Sequence, residues 1–334
     1  MIITIFGDLH IHNYKKFDDG NNSRLYNCLD VLDDIFLENS NYGIENILFL
    51  GDLYDNQKLL PSLVVNKTIE RFAKLFNQYP EQRIYAITGN HDQATKNLIN
   101  SPAVTALEHI AIIFPNNFIL LDNKSIQLDD TYIYGIPYYE YPEQYKLALK
   151  EINALAKVNK DNGYINILMI HQTPNGLGNP NIPYDTDVND GLYKPFDYIF
   201  CGHIHQSQQI LNNFLVAGNP LQRDLGDEGQ EKGFWVLNTE YITETKGLSF
   251  VSRKGKYPEF IRREVKPGEV IDNKDETNYI IPVIKADVNL ANNNVSTEDF
   301  GSDLKAETIL TNFWKTVDGK NNDLLATGLE LIKN

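Results

Sequence analysis

Six of the seven histidines lie in or beside five short polar blocks. The blocks are Gly7-Asp8-Leu9-His10, Gly51-Asp52, Gly89-Asn90-His91-Asp92, His171 and Gly202-His203-Ile204-His205. They are spread from residue 7 to residue 205, so only a folded domain could bring them together. Carboxylates, imidazoles and an amide oxygen, with no cysteine thiolate among them, suit a divalent first-row metal such as Mn²⁺ or Fe²⁺. Two such ions side by side are a standard device for cleaving phosphate esters.

Each block makes its own demand. Asp8 and His10 alternate along an extended segment and converge on one ion only if the strand end turns. Asp52 can bridge two ions through its two carboxylate oxygens, although a bare Gly-Asp is equally at home in a simple turn. Asn90 can ligate through its amide oxygen without adding charge. His91 is then expected to face the substrate, where it can stabilise a scissile phosphate and protonate the leaving oxygen. Asp92 is expected to orient the His91 ring from behind. His203 and His205, either side of Ile204, can send imidazoles to two neighbouring ions, each needing a hydrogen-bond partner at its other nitrogen. His171 by itself would read as a core histidine; among these blocks it reads as a ligand. His109, on an apolar stretch with Leu107 and Ile110, reads as structural.

The elements that must position these residues follow one rule: each block comes directly after a short apolar run. Ile2–Phe6, Asn46–Leu50 and Ile84–Ile87 read as buried strands before Gly7, Gly51 and Thr88-Gly89. Ile165–Ile170 leads into His171, and Tyr198–Cys201 into Gly202. Tyr132–Ile136, Phe214–Ala217 and Phe234–Leu237 are further strands, the last expected to close the sheet system. Leu25, Leu29, Leu32 and Phe36 recur at helical spacing with Gly43 as the stop, and Val65, Ile69, Phe72 and Phe76 mark a second helix. A repeated strand–loop–helix rhythm implies an α/β layered fold, in which ligands bind beyond the carboxyl ends of the strands.

The 334 residues suffice for one large domain or one large and one small, and 42% of them are hydrophobic, enough for a sizeable core. The expected boundaries are 1–245 for the main domain, 246–295 for a small cap and 296–334 for a helical end. The last region carries Phe313, Trp314, Leu325 and Leu329 after an Asn/Asp/Ser-rich stretch at 291–303. Cys28 and Cys201 make neither a disulfide framework nor a zinc spacing and read as small buried hydrophobes. The apolar start is too short for a signal segment and no stretch reaches the length of a membrane span, so the chain reads as a cytoplasmic protein. The formal charge of −15 argues against a free-standing, tight DNA binder, because phosphate backbones favour basic surfaces. It leaves room for a subunit whose partner supplies much of the affinity.

The order D-x-H, G-D, G-N-H-D, H, G-H-x-H resembles the calcineurin-like metallophosphoesterase superfamily. That resemblance implies an α+β, four-layer fold: a β-sandwich flanked by helices, with a dimetal site at the strand ends. It implies that Asp8, His10, Asp52 and His205 hold one ion and Asp52, Asn90, His171 and His203 the other, with His91 and Asp92 as the catalytic pair and water as the nucleophile. Gly135-Ile136-Pro137-Tyr138, Gly218-Asn219-Pro220, Gly226-Asp227-Glu228 and Lys232-Gly233-Phe234-Trp235 are similar to the SbcD/Mre-type nuclease subunits, most of all their bacteriophage members. This second likeness covers residues 1 to about 240 and implies hydrolysis of DNA phosphodiesters, as exonuclease and endonuclease, in recombination and double-strand-break repair. It also implies two divalent ions (Mn²⁺, with Mg²⁺ or Fe²⁺ as alternatives), an SbcC-like SMC ATPase partner docked by the C-terminal helices, and a homodimer within the complex. His12 stands where many relatives have glycine, and Asp55 where some have histidine, so their roles stay open. The rival readings are a small-molecule or nucleotide phosphodiesterase or phosphatase on the same core, and a non-enzymatic module that kept the fold.

Overall fold

Alternate residues of the central strands point into different apolar layers, and this alone builds the architecture. In a computed structural model, residues 1–56, 59–177, 184–241, 247–265 and 277–284 are described. One sheet contains Ile2–Phe6 (β1), Asn46–Phe49 (β2), Arg83–Ala86 (β3) and Phe118–Leu120 (β4), all parallel. The other contains Lys124–Leu128 (β5), Thr131–Ile136 (β6), Ile165–His171 (β7), Tyr198–Gly202 (β8), Gln208–Leu211 (β9) and Phe214–Val216 (β10). Its order is β5-β6-β7-β8-β10-β9, with β6, β7, β8 and β10 parallel and both edge strands antiparallel.

Ile3, Ile5, Leu48 and Tyr85 of the first sheet pack with Ile133, Ile167, Met169, Phe200 and Leu215 of the second in one buried layer. The intervening residues face outwards. Phe6, Ile47, Phe49 and Ile84 meet the helices Ser23–Tyr42 (α1), Ser62–Gln78 (α2) and Leu107–Ile113 (α3). Tyr134, Ile136, Leu168, Ile170 and Ile199 meet Pro142–Asp161 (α4). The result is the expected four-layer β-sandwich flanked by helices. Cys28 and Cys201 are buried free thiols, as their reading as small hydrophobes requires.

Several expectations need adjustment. The sheet does not close at Gly233–Asn238 (β11), which pairs antiparallel with β1. Leu248–Ser252 (β12), on the far side of the boundary expected at 245, pairs along β11 and forms the edge of the first sheet. The buried face of α2 is carried by Val64, Thr68, Phe72, Leu75 and Phe76 rather than by Val65 and Ile69, which are only half-buried. No expectation covered α4, although Tyr145, Leu149, Ile152 and Ala156 recur at helical spacing behind Pro142. Phe260–Val265 (β13) and Tyr279–Ile284 (β14) make a separate two-stranded sheet. The chain divides into two compact units, Met1–Arg263 with Ile271–Pro282 and Glu264–Val270 with Val283–Asn334; all five polar blocks lie in the first. The linker and the helical end expected over 291–334 lie outside the described residues.

Gly135 of β6 lies tightly against Ile87, just after β3, and Leu121, just after β4. A Cβ there would sit 2.5 Å from the Leu121 carbonyl oxygen and 2.7 Å from Ile87 Cγ2, so no side chain fits. Gly135→Ala should therefore destabilise the domain by about 1–3 kcal/mol, the usual result of overpacking a core. Urea unfolding of the variant beside the wild type measures this.

Candidate dimetal centre

The five blocks meet because β1, β2, β3, β7 and β8 all end at the same edge of the sandwich. Beyond that edge the backbone turns sharply. Asp8, His10, Asp52 and His203 have φ of 52°, 47°, 56° and 81°, a left-handed conformation rare outside glycine. Such residues cost about 1–3 kcal/mol each and persist only where the surroundings over-determine them. Here the surroundings are hydrogen bonds between loops: Asp8 N–H to the Gly51 carbonyl (2.9 Å), His10 N–H to the Asp52 carbonyl (3.0 Å) and His203 N–H to Asp8 Oδ1 (2.9 Å). The turn at Asp8 and His10 brings both side chains to one side, as convergence on one ion requires.

Among the described residues the donor atoms fall into two groups that share no residue, and a third, His10 with Asp55 and His91, that shares His10 with the first. Asp8, His10 and His205 place ligand atoms within 4.8 Å of one another, and so do Asp52, His171 and His203. Asn90 joins the second group, its Oδ1 lying 3.1 Å from His171 Nε2 and 2.8 Å from His203 Nδ1. His10 Nε2 and His205 Nε2 are 3.1 Å apart. Asp52 stands between the groups, with Oδ2 3.6 Å from His10 Nε2 and 3.4 Å from His171 Nε2. Its Oδ1 accepts the His91 backbone N–H at 2.7 Å. One oxygen of Asp52, not two, is therefore turned to both groups, because the other is spent on the backbone. Gly89 makes this possible, since a Cβ there would collide with Asp52 Oδ1.

The chemistry of the second group fits a cation. His171 Nδ1 donates to the Leu50 carbonyl at 2.6 Å, which leaves the Nε2 lone pair of the neutral ring facing Asp52 Oδ2 and Asn90 Oδ1. Three acceptors aimed at one another need a positive charge between them.

A family model described as calcineurin-like phosphoesterase matches residues 1–207, a span that takes in every one of these converging residues. The chain belongs to the calcineurin-like phosphoesterase family. It is also similar to the D component of nuclease SbcCD from Staphylococcus epidermidis, 25% identical over a 269-residue alignment that, gaps aside, covers 70% of this chain and 66% of that protein, just under two thirds of its length. Among solved structures it is similar to TT1561 of Thermus thermophilus, with 12% identity and a TM-score of 0.46 over 75% of this chain and 98% of that one. A dimetal phosphatase from Danio rerio matches with 8% identity and a TM-score of 0.43 over 71% and 91%.

In this calcineurin-like phosphoesterase the catalytic pair is arranged differently from expectation. Asp92 does not orient His91. Its buried carboxylate accepts the backbone N–H groups of Asp52 (2.7 Å), Gly89 (3.0 Å), Leu53 (2.9 Å) and Tyr54 (3.4 Å), which ties the loop after β2 to the loop after β3. With four donors on its two oxygens, no lone pair is left for the ring. The Asp55 carbonyl takes that role, accepting from His91 Nδ1 at 2.5 Å. The Asp55 side chain backs His10 instead, with Oδ1 3.4 Å from His10 Nδ1 and 3.2 Å from Arg223 Nε, while Oδ2 accepts the Tyr14 hydroxyl. His12 is buried, its Nδ1 donating to the His10 carbonyl at 2.6 Å and its ring tilted 35° against Tyr14; that leaves little of it free for a contact with DNA. His109 is not a core residue. It is exposed on α3, at a cleft of about 310 Å³ that His91 also lines together with Leu60, Val65, Ile69 and Ile110. Its apolar neighbours Leu107 and Ile110 are buried.

Burial pushes nearly every group in the centre towards its neutral form. It raises Asp8 to about 8 and Asp92 to about 7, and lowers His203 and His205 to about 3. Burial acts on His171 in the same sense, but the adjoining Asp52 carboxylate overrides it and lifts the imidazole to about 9. Asp52, despite its burial, is held well below the usual carboxylate range by His171 and His10. A proton on His171 thus balances charge that a divalent ion would balance better.

Two outcomes follow for metal binding. Ligation requires Asp8 and His171 to be deprotonated, and both titrate above neutrality, so binding near pH 7 should release protons. Affinity should rise with pH through about 8 to 9 and level off above it, and it should weaken steadily towards acid. Calorimetry in buffers of different ionisation enthalpy reads both effects. Asp52→Asn should weaken both ions by roughly 10- to 100-fold or more, since the shared oxygen loses its charge; metal titration of the variant beside the wild type tests this, and unchanged occupancy would rule out the bridge.

Proposed function

We propose that this phosphoesterase is a DNA nuclease of the SbcD kind, cleaving DNA phosphodiesters as exonuclease and endonuclease with two divalent ions, Mn²⁺ foremost. The observation that carries this reading is the likeness to the D component of nuclease SbcCD, which covers 70% of this chain, more than the 207 of 334 residues in the family match, and so takes in residues beyond the metal core. When bound, the two ions would activate water and neutralise charge on the phosphoryl oxygens. Asp8, His10, Asp52 and His205 would hold one, and Asp52, Asn90, His171 and His203 the other.

The chain's own part in the reaction centres on His91. Its Nδ1 proton is committed to the Asp55 carbonyl, so Nε2 is the nitrogen that faces the leaving oxygen and passes it a proton. The same fixed ring would present an N–H donor to the phosphoryl group as negative charge builds up there. The adjoining cleft would receive the group attached to the leaving oxygen. A dedicated ATPase partner of the SbcC type suits a molecule whose formal charge of −15 opposes unaided DNA binding; a second copy of this chain in the complex belongs to the same reading. The helices assigned to partner docking, with Phe313, Trp314, Leu325 and Leu329, lie outside the described residues. Recombination and repair in the cytoplasm are the setting this reading implies.

His91→Ala should retain both metals, because the backbone N–H that holds Asp52 is unaffected, yet lose about 10²- to 10⁴-fold in turnover. Cleavage of end-labelled single- and double-stranded DNA with Mn²⁺, run with wild type and variant and repeated with an SbcC-type ATPase, tests this. DNA left intact by the complex while nucleotide phosphodiesters are hydrolysed would replace the nuclease with a small-molecule phosphodiesterase.

A further inference from the structure

The segment from Gly218 to Phe234 supplies no ligand, yet it buries a charge pair against the centre. Lys232 is 5% exposed. Its Nζ donates to Asp227 Oδ1 (2.8 Å), to Gln230 Oε1 (2.8 Å) and to the backbone carbonyl of His205 (2.9 Å). The same carbonyl accepts the Asn219 N–H at 3.2 Å. The second Asp227 oxygen accepts the Arg223 N–H at 2.8 Å and Asn219 Nδ2 at 3.3 Å. Arg223 in turn places Nε 3.2 Å from Asp55 Oδ1, the oxygen that lies 3.4 Å from His10 Nδ1. One buried pair therefore holds the backbone that carries His205 and, through Arg223 and Asp55, the back of the His10 ring. These are the two imidazoles whose Nε2 atoms face each other at 3.1 Å. The other donor group is anchored separately: His171 leans on the Leu50 carbonyl, and Asn90 stands on the loop after β3 that Asp92 ties down.

We propose that Lys232 and Asp227 are a positioning pair for one of the two metals, setting the spacing of His10 and His205 while leaving the Asp52–Asn90–His171–His203 group alone. The inference rests on the dimetal reading of the centre. An isolated buried ammonium would be costly, and an isolated buried carboxylate equally so. Together they are tolerated, and the third Lys232 donor is left for a carbonyl that no other side chain reaches among the described residues.

The test is metal stoichiometry of the whole chain, read by Mn²⁺ titration with electron paramagnetic resonance detection of the free ion. Wild type should bind two ions. Lys232→Met should keep one at wild-type affinity and weaken the other at least 10-fold, with Lys232→Arg recovering part of the loss. If Lys232→Met fails to fold, Lys232→Met/Asp227→Asn removes both charges and gives the same reading, with circular dichroism confirming the fold. A folded variant that binds both ions as wild type does, or that weakens both equally, overturns the inference. Wild type that binds no Mn²⁺ overturns the dimetal reading itself, and this inference with it.

Discussion

One buried carboxylate, that of Asp92, holds together the two loops on which the centre is built. Its oxygens gather N–H groups from Asp52, Leu53 and Tyr54 after β2 and from Gly89 after β3. Without those bonds these donors would be buried and unpaired, each at a cost of about 1–3 kcal/mol. With them, Asp52 can hold a left-handed backbone, point one oxygen at the His91 N–H and turn the other towards His10 and His171. The distances in both donor groups depend on this crossing of the loops.

A second constraint runs through the centre, which is that each ring must be fixed at the nitrogen facing away from the reaction. Backbone carbonyls do this for His91 and His171, and the Asp55 carboxylate stands behind His10. A carbonyl can only accept, so it selects the tautomer as well as the orientation. The cost is a dense set of buried ionisable groups whose charges do not cancel by themselves. Burial drives Asp8 up and His203 and His205 down, which leaves those two imidazoles neutral, as metal ligation would need.

Membership of the calcineurin-like phosphoesterases accounts for the site and the four layers, but a fold of this kind serves many phosphate esters. Two features lie outside the candidate ligands: the Gly218–Phe234 segment with its Lys232–Asp227 pair behind the centre, and the cleft beside His91. The pair lies behind His205 and His10, and the cleft opens beside His91.

The sequence by itself determined the chemistry and its placement. Short apolar runs followed by Asp, His and Asn mark strands that end at ligands, and β1, β2, β3, β7 and β8 end within two residues of where those runs stop. Local patterning suffices there because burial on both faces makes a strand a continuous apolar run. The same logic missed α4, where surface residues stand between the buried ones, and β12, an edge strand none of whose residues is fully buried. The tertiary structure alone decided which atom of each side chain faces which neighbour. It assigned Asp92 to the backbone, gave His91 to the Asp55 carbonyl, turned a single oxygen of Asp52 to both donor groups and left His109 exposed. It also placed Lys232 against the carbonyl of His205, 27 residues away in the chain. Those outcomes depend on loops from distant strands sharing their hydrogen bonds, and no spacing along the chain encodes which donor a carboxylate meets first.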